Sequence, residues 1–325
     1  MKAMVYHEYG PPEDVLTLDD IDKPVAGDNQ VLIKVHSAGV DPSVWHLVTG
    51  LPFLVRIMGF GLLKPRYTIA GWDVAGQVEA VGKNVQQFRP GDEVFGTCRG
   101  SFAEYACAAE DKFIAKPSNL TLAQAAAIPV SGLTALQGLR DVAKVQPGQK
   151  VLVIGAGGGV GSYAVQIAKA FGTEVTGVCS TAKVDMVRSI GADFVIDYTK
   201  DDLSKNGQRY DCIIDTGGRR PLSHLRRVLA PEGTLVGVGG EGGGRWTGGF
   251  LGDLIKTFAI SPFTSQRLRS MMARTTRADL VVLKDLIEAG KVTPALDRTF
   301  PLAEAATAIR YLTDRKVRGK CVITV

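Results

Sequence analysis

The spacing of apolar and polar residues changes along the chain. In the first third, stretches such as MKAMVYHEYG and QVLIKVHSAGV alternate partly between apolar and polar residues, and glycines and prolines separate them. This alternation is typical of half-buried strands. After Leu120 an Ala- and Leu-rich stretch, TLAQAAAIPVSGLTALQGL, has a helical period that Pro129 is expected to break. The pattern predicts a β-rich region followed by helix.

From Lys150 onward, strand-like and helix-like patterns alternate regularly. The apolar runs KVLVIG, TEVTGVCS, DFVIDY, YDCIIDTG and GTLVGVGG are short enough for buried strands, and helical patterns lie between most of them. One helical face carries Val160, Ala164, Ile167, Ala168 and Phe171. Such alternation is typical of a doubly wound parallel sheet.

This order predicts an α/β protein of two domains. A β-rich domain would comprise residues 1–122 and 287–325, and a doubly wound parallel-sheet domain would comprise residues 123–286. The tail begins with the helical RADLVVLKDLIEAG and ends in the extended GKCVITV, so we expect it to rejoin the first domain.

Composition narrows the possible classes of protein. The 325 residues are 45% hydrophobic and 22% charged, with a formal net charge of +5 that is spread along the chain, which does not favour nucleic-acid binding. The five cysteines are scattered without a CxxC motif, so neither a disulfide framework nor a cysteine-rich zinc lobe is expected. No signal-peptide core opens the chain, and LPFLVRIMGFGLL is too short to cross a bilayer. We expect a soluble, cytoplasmic protein.

A glycine-rich turn links the first strand of the alternation to its helix. Ala156, Gly158 and Gly161 occupy the three positions of a G-x-G-x-x-G pattern, and the residues between them are Gly157, Gly159 and Val160. A small first residue permits a tight turn, the second glycine lets a diphosphate approach the main chain, and the third lets helix and strand pack closely. The strand before the turn and the helix after it favour a dinucleotide site over a merely structural turn.

The end of the next strand indicates which dinucleotide would bind. Sites for NAD carry Asp or Glu about twenty residues after the turn, where the acid accepts hydrogen bonds from the ribose. Here Ser180 and Thr181 stand in that place, followed by Lys183. Hydroxyls and an ammonium would hold a 2′-phosphate that an acid would repel. Tyr198, after the third strand, would donate another hydrogen bond or flank the adenine. The predicted cofactor is NADPH, although Lys183 could be a solvated lysine and Ser180 a helix N-cap.

With these residues in place, the chain resembles the zinc-independent medium-chain dehydrogenase/reductase superfamily, and within it the NADPH:quinone oxidoreductases. The segments AGVDPSVWHLVTG, AGWDVAGQVEAVGKNV, GSFAEYA and GAGGGVGSYAVQIAKA match that group in the expected order, over nearly the whole chain. The resemblance implies a GroES-like catalytic domain, a Rossmann domain, a homodimer, and a substrate cleft between the domains. It does not fix the substrate.

The sequence departs from the zinc enzymes of that superfamily. Asp41 stands where those enzymes usually have the first cysteine ligand, and Trp72 replaces the histidine of their Gly-His-Glu segment. Catalytic zinc needs Cys, His or carboxylate ligands and an open position. Asp41, His46 and Asp73 could gather a metal in principle, but we predict no metal site.

The resemblance also implies residues near the nicotinamide. Asp41 replaces the family's Asn, and an ionised Asp can only accept hydrogen bonds, so it is either protonated or altered in role. His46 stands where relatives often have Tyr or Lys, and it could give a proton or be only a structural histidine. Thr134 matches a position beside the nicotinamide or is a helix-interior threonine. The remaining candidates match segments that approach the cofactor: Gly239, Gly240, Arg318, Gly319 and Lys320.

An apolar loop at residues 51–67 is a candidate wall of a substrate pocket. LPFLVRIMGFGLLKPRY is longer and more apolar than the same loop of a minimal quinone reductase, and its candidate wall residues are Phe53, Leu54, Ile57, Met58 and Phe60. A packed core helix or a dimer contact would explain the same pattern, and a touch on a membrane surface fits it less well.

These observations predict hydride transfer from NADPH to a quinone or to an activated alkene such as an enone, with Asp41 and His46 as the catalytic residues. The alternatives are an NADP-dependent reductase or dehydrogenase of other carbonyls or alcohols, and an NADPH-binding protein without turnover. The expected partner is a small hydrophobic electron acceptor, with neither nucleic acid nor stable membrane insertion. The physiological substrate and the stereochemistry stay open, as does the choice between hydride and single-electron transfer.

Overall fold

A computed structural model describes residues 1–203, 207–218, 220–238 and 264–325. The β-strands, in chain order, are β1 Lys2–Val5, β2 Thr17–Asp20, β3 Gln30–Val40, β4 Asp73–Val81, β5 Glu93–Thr97, β6 Tyr105–Ala109, β7 Phe113–Ala115, β8 Lys150–Ile154, β9 Glu174–Cys179, β10 Phe194–Asp197, β11 Tyr210–Asp215, β12 Leu229–Val238, β13 Arg267–Met271, β14 Leu296–Pro301 and β15 Lys320–Thr324.

The α-helices of the described ranges are α1 Pro12–Val15, α2 Pro42–Thr49, α3 Leu122–Ala126, α4 Pro129–Gln137, α5 Gly159–Ala170, α6 Val184–Ser189, α7 Leu222–Val228, α8 Arg277–Glu288 and α9 Ala305–Thr313. Short 3₁₀ or π turns occupy Arg56–Phe60, Glu110–Lys112, Gly138–Ala143, Thr181–Lys183 and Leu302–Glu304. The predicted break at Pro129 is confirmed, because α3 ends before it and α4 begins at it. No described helix has the length and apolar character that a bilayer crossing requires.

The chain divides into two compact units. Unit 1 comprises Met1–Ser131, Thr275–Glu288 and Leu296–Val325, and unit 2 comprises Gly132–Arg274 and Ala289–Ala295. The chain therefore leaves the first unit and later returns to it. The domain boundaries predicted at residues 122 and 286 stay a prediction.

Unit 1 contains a large, mainly antiparallel sheet. Its strands lie in the order β14-β15-β3-β4-β5-β7, and β6 also pairs with β3. The strands β1 and β2 form a separate two-stranded antiparallel sheet. In the middle of β3, Ile33 and Val35 are buried while Lys34 and His36, which alternate with them, are exposed; Leu32 and residues 37–40 are buried as well. The middle of β3 is thus half-buried, as the sequence predicts, and its end is buried on both faces.

Unit 2 contains the parallel sheet that the alternation predicts. The described strands lie in the order β10-β9-β8-β11-β12-β13, and every neighbouring pair is parallel. Numbered within this sheet, the order is 3-2-1-4-5-6, which is that of a Rossmann fold. The core includes Leu152, Ile213 and Leu235 from three neighbouring strands, each nearly inaccessible to solvent. The predicted fold class, a GroES-like domain with a Rossmann domain, is confirmed.

Candidate functional site

The topology of unit 2 creates a ligand-binding edge. From β8 the chain crosses to β9 on one side, and it later places β11 on the other side of β8. All of these strands are parallel, so their carboxyl ends meet at the same edge of the sheet. Ligands of such sheets bind in the crevice that opens where the strand order reverses. The glycine-rich turn follows β8 at this position.

The turn is built from main-chain contacts that only glycine permits. Gly155 has φ of 81°, and the amides of Gly155 and Ala156 both donate to the carbonyl of Val178 in β9, at 3.0 Å. A Cβ on Gly161 would lie 2.1 Å from the carbonyl oxygen of Gly155, so strand and helix could not approach as they do. A Cβ on Gly158 would meet only that same oxygen, at 3.3 Å. Gly158 is thus less crowded than Gly161, although this contact is still tight.

The first turn of α5 offers amide groups to an anion. Gly158 precedes the helix with φ of −99° and ψ of −179°, and it has no side chain to cap the first turn. The first amides of a helix lack intrahelical partners, and the helix dipole favours negative charge beside them. The cradle beside Gly158, which a Cβ would enter, and these amides fit the diphosphate of a dinucleotide.

Lys183 lies against the glycine-rich turn, as the sequence hypothesis requires. A Cβ on Gly157 would lie 2.6 Å from Cδ of Lys183, so the lysine side chain extends across the turn. Ser180, just after β9, is partly exposed and makes no capping hydrogen bond to the short turn that follows it. Burial raises the pKa of the Cys179 thiol to about 11, so β9 ends in an uncharged group.

An acid that the sequence analysis does not single out stands on the neighbouring strand. Asp197 ends β10 opposite Cys179, and its Oδ2 accepts a hydrogen bond from Thr181. Its Oδ1 accepts hydrogen bonds from the amide and hydroxyl of Thr199, and Lys200 lies 3.8 Å from Oδ2. These bonds, with that from Thr181 foremost, lower the pKa of Asp197. The Thr181 hydroxyl therefore donates its hydrogen to Asp197.

Tyr198 follows that acid at the same edge. Its amide donates to the carbonyl of Cys179 at 3.1 Å, and its side chain is 51% exposed. The structure therefore brings Tyr198, Ser180, Lys183 and the glycine-rich turn together at the carboxyl edge of one sheet. Just after β11, the Thr216 hydroxyl donates a hydrogen bond to the carbonyl of Ile154, the last residue of β8.

In unit 1, Asp41 caps α2. Its Oδ1 accepts hydrogen bonds from the amide of Ser43 at 2.8 Å and from the Ser43 hydroxyl at 2.5 Å. Its Oδ2 is buried and has no hydrogen-bond partner. A buried carboxyl oxygen without a partner is costly, so this atom is a candidate for contact with a ligand.

A second buried acid lies beside Asp41. Asp73 begins β4, its Oδ1 accepts a hydrogen bond from the amide of Val130 at 3.0 Å, and its Oδ2 lies 3.5 Å from Nζ of Lys320. Burial raises the pKa of Asp73 to about 7; Lys320 lowers it, and the charge of Asp41 raises it further. Lys320, a predicted cofactor contact, is thus a buried ion-pair partner with 2% exposure.

His46 has a structural contact that fixes its tautomer. Its Nδ1–H donates to the carbonyl of Leu51 at 2.6 Å, just beyond the end of α2, and its ring meets that of Trp45 edge-on. The side chain is partly exposed. Because Nδ1 carries this hydrogen, the neutral ring presents Nε2 as an acceptor, and the protonated ring can donate from it.

An aromatic pocket lies in unit 1 beside the apolar loop of residues 51–67. The pocket is narrow, and its lining includes Phe60, Tyr67, Trp72 and Arg99. The guanidinium of Arg99 lies 4.1 Å from the ring centre of Tyr67 and 5.7 Å from that of Trp72. The indole of Trp72 is therefore part of an apolar and aromatic lining that also holds a guanidinium.

The five predicted wall residues have different surroundings. Phe60 lines the aromatic pocket, whereas Phe53 packs beneath the guanidinium of Arg56, at 4.7 Å. Ile57 and Met58 are 72% and 50% exposed, and Leu54 is partly buried. No residue of the Arg56–Phe60 turn is buried, which rules out a packed core helix as its explanation.

The other candidates are placed as follows. Thr134 lies nearly buried in α4, Arg318 is exposed and donates its amide to Asp297, and Gly319 has φ of 83° before β15. Gly239 and Gly240 lie outside the described residues. Within the described ranges, no group of three or more His, Cys, Asp or Glu side chains is placed to hold a metal ion.

Comparisons with known proteins agree with this arrangement. Two protein-family models match: "Alcohol dehydrogenase GroES-like domain" over residues 27–118 and "Zinc-binding dehydrogenase" over residues 190–323. A chloroplast envelope quinone oxidoreductase homolog of Arabidopsis thaliana is 30% identical over 99% of this chain and 98% of its own length. An NADPH-dependent alkenal/one oxidoreductase of the same plant is 33% identical over 99% of this chain and 79% of its own.

A solved structure extends the likeness to three dimensions. The quinone oxidoreductase of Escherichia coli, crystallised with NADPH, has a TM-score of 0.86 and 25% identity, and the match covers all of both chains. The sequence motifs, the sheet order and these relatives all indicate the same family. The chain belongs to the quinone oxidoreductase family of the medium-chain dehydrogenases/reductases.

Proposed function

We propose that this protein is a zinc-independent, NADPH-dependent oxidoreductase that reduces a quinone or an activated alkene such as an enone. The observation that carries the proposal is the end of β9. There Ser180 and Lys183 stand beside the glycine-rich turn, and β9 itself ends in an uncharged thiol. Asp197, on the neighbouring strand, already accepts hydrogen bonds from Thr181 and Thr199.

The residues of unit 2 would hold the cofactor. The amides at the start of α5 would receive the diphosphate, with Gly158 leaving room for it. Lys183 and Ser180 would bind the 2′-phosphate through charge-assisted hydrogen bonds. Tyr198, half exposed at the same edge, would cover the adenine. When bound, NADPH supplies a hydride.

The residues of unit 1 would bind the electron acceptor and supply a proton. The aromatic side chains of Tyr67 and Trp72 in this pocket would stack on a flat, apolar ring, and Arg99 beside them offers N–H groups to a carbonyl oxygen. Asp41 Oδ2 or His46 Nε2 would protonate the reduced acceptor. Trp72 in the usual place of a histidine ligand supports a reaction without zinc. The relatives named for quinones and for alkenals and enones support both acceptor classes.

A panel of acceptors tests the proposed function. NADPH oxidation would be followed with a series of quinones, enones, simple aldehydes and ketones, with NADPH binding measured separately. We expect turnover with quinones or enones and little with unconjugated carbonyls. Turnover confined to aldehydes or alcohols would point to the alternative dehydrogenase, and binding without turnover on any acceptor would mean a non-catalytic protein. Light scattering would test the expected homodimer.

A further inference from the structure

Three neighbouring strands of unit 1 bring three charged side chains to one edge of the sheet. β3 runs antiparallel to β4 and to β15, which flank it. Gly39 near the end of β3 pairs with Asp73 at the start of β4, and Val40 pairs with Cys321 at the start of β15. Asp41, Asp73 and Lys320 therefore meet at one end of these strands, although they are far apart in the sequence.

A glycine in the middle strand makes this meeting possible. A Cβ on Gly39 would lie 2.8 Å from Cβ of Asp73 and 3.0 Å from its Oδ2. Without that Cβ, Nζ of Lys320 comes within 3.5 Å of the same oxygen from the other side of β3. The absence of a side chain at Gly39 therefore leaves room for Lys320 and Asp73 to contact each other across β3.

The cluster has one acid more than it has bases. Asp41, Asp73 and Lys320 are 1%, 0% and 2% exposed, so water cannot screen their charges. With both carboxyls ionised, the three groups would carry a net negative charge in a buried place, which is costly. One added proton makes the cluster neutral. Asp41 Oδ2 is the carboxyl oxygen in it that has no hydrogen-bond partner.

We propose that Asp73 and Lys320 are a positioning pair for Asp41, and that the two carboxyls together hold one proton, which Asp41 Oδ2 offers to the bound electron acceptor. This inference rests on the proposed function and names the source of its proton. Asp73 itself touches Lys320 and the Val130 amide, so it acts through Asp41.

The surroundings of Asp73 agree with a shared proton. Burial raises the pKa of Asp73 to about 7, the ammonium of Lys320 opposes that rise, and the charge of Asp41 adds to it. A further titratable group that senses Asp73 is the buried thiol of Cys98, whose pKa is raised above its ordinary range, so it stays uncharged.

The proton step balances as follows. As the hydride and its two electrons reach the acceptor, negative charge develops on the acceptor oxygen. The O–H bond at Asp41 Oδ2 breaks, a new O–H bond forms on the acceptor, and Asp41 is left as a carboxylate. Lys320 opposes the second negative charge until a proton from solvent restores the cluster.

Infrared difference spectroscopy of the cofactor-free protein tests the shared proton directly. The C=O stretch of a protonated carboxylic acid would be followed as the pH is raised through neutrality, in wild type, in Asp73→Asn and in a control, Asp20→Asn, which changes an exposed acid of β2. We expect wild type and the control to lose one such band near neutral pH, and Asp73→Asn to lack it. A wild-type protein without that band, or an Asp73→Asn protein that keeps it, would overturn the proposal.

A second measurement separates this inference from the proposed function. In Asp73→Asn the remaining charges of Asp41 and Lys320 balance each other, so the cluster no longer needs an added proton, while unit 2 is unchanged. We expect NADPH affinity to stay within about twofold, turnover to fall at least about tenfold, and the neutral-pH limb of the pH profile to move. An unchanged pH profile with the best acceptor would contradict the role of Asp73. A protein that does not bind NADPH at all would contradict the proposed function, while the infrared result would still stand.

Discussion

The glycine-rich turn of unit 2 and the charged cluster of unit 1 differ in the groups that they offer to a ligand. The turn between Gly155 and Gly161 uses bare main chain, where close contacts exclude side chains and leave amides for a ligand. The cluster of Asp41, Asp73 and Lys320 uses three buried side chains whose charges must balance. The first is therefore sensitive to added volume, and the second is sensitive to changes in charge and pH.

The largest expected effect comes from adding one methyl group to the turn. In Gly161→Ala, Cβ would lie 2.1 Å from the carbonyl of Gly155, so we expect the free energy of unfolding to fall by about 3 kcal/mol. In the matched variant Gly158→Ala, Cβ would lie 3.3 Å from the same carbonyl oxygen, a tight contact that a small shift relieves, so the loss of stability should be smaller than in Gly161→Ala while NADPH affinity falls. Urea unfolding and calorimetry measure both quantities. Equal stabilities of the two variants would contradict this account of the turn.

A methyl group on the middle strand of unit 1 should have a somewhat smaller effect. In Gly39→Ala, Cβ would lie 2.5 Å from the carbonyl oxygen of Ala126 and would press on Asp73, so we expect a loss of about 2 kcal/mol in urea unfolding. Turnover should fall as well, because the contact between Asp73 and Lys320 is disturbed. A variant with wild-type stability and turnover would show that the room left at Gly39 is not needed.

The pH dependence of stability tests the charged cluster of unit 1, because Asp73 belongs to it. The pKa of Asp73 is about 7 in the folded protein and 3.8 ordinarily, so between these values the folded state binds more protons than the unfolded state. The contribution of Asp73 to the free energy of unfolding therefore falls as the pH rises through this window. Denaturant unfolding at several pH values should show a decline that is weaker in Asp73→Asn. The same slope in both proteins would place the proton elsewhere.

Local sequence patterns are enough to predict the features that depend on neighbours in the chain. The apolar run of β8, the glycines after it and the period of α5 lie within one stretch, so the strand, turn and helix can be predicted together. The absence of an acid at Ser180 is visible for the same reason. The alternation of apolar and polar residues in β3 likewise indicates a half-buried strand by itself.

Contacts between distant residues cannot be predicted in this way. Lys320 and Asp73 are 247 positions apart, and only the register of β15, β3 and β4 brings them together. The sequence therefore predicts Lys320 as a cofactor contact, without its ion pair. It does not reveal the role of Asp197, because the bond from Thr181 depends on the pairing of β9 and β10. The aromatic pocket depends in the same way on Arg99 reaching Tyr67.

Calorimetric titration with NADPH and NADH tests the central claim most directly. Wild type should bind NADPH more tightly by roughly 10- to 100-fold, since a charge-assisted hydrogen bond contributes about 1.5–3 kcal/mol. Lys183→Met should lose most of this preference and keep its NADH affinity. The matched control, Lys200→Met, removes a lysine of the same sheet edge that pairs with Asp197, and it should keep the preference. Equal affinities of wild type for the two dinucleotides would contradict the account.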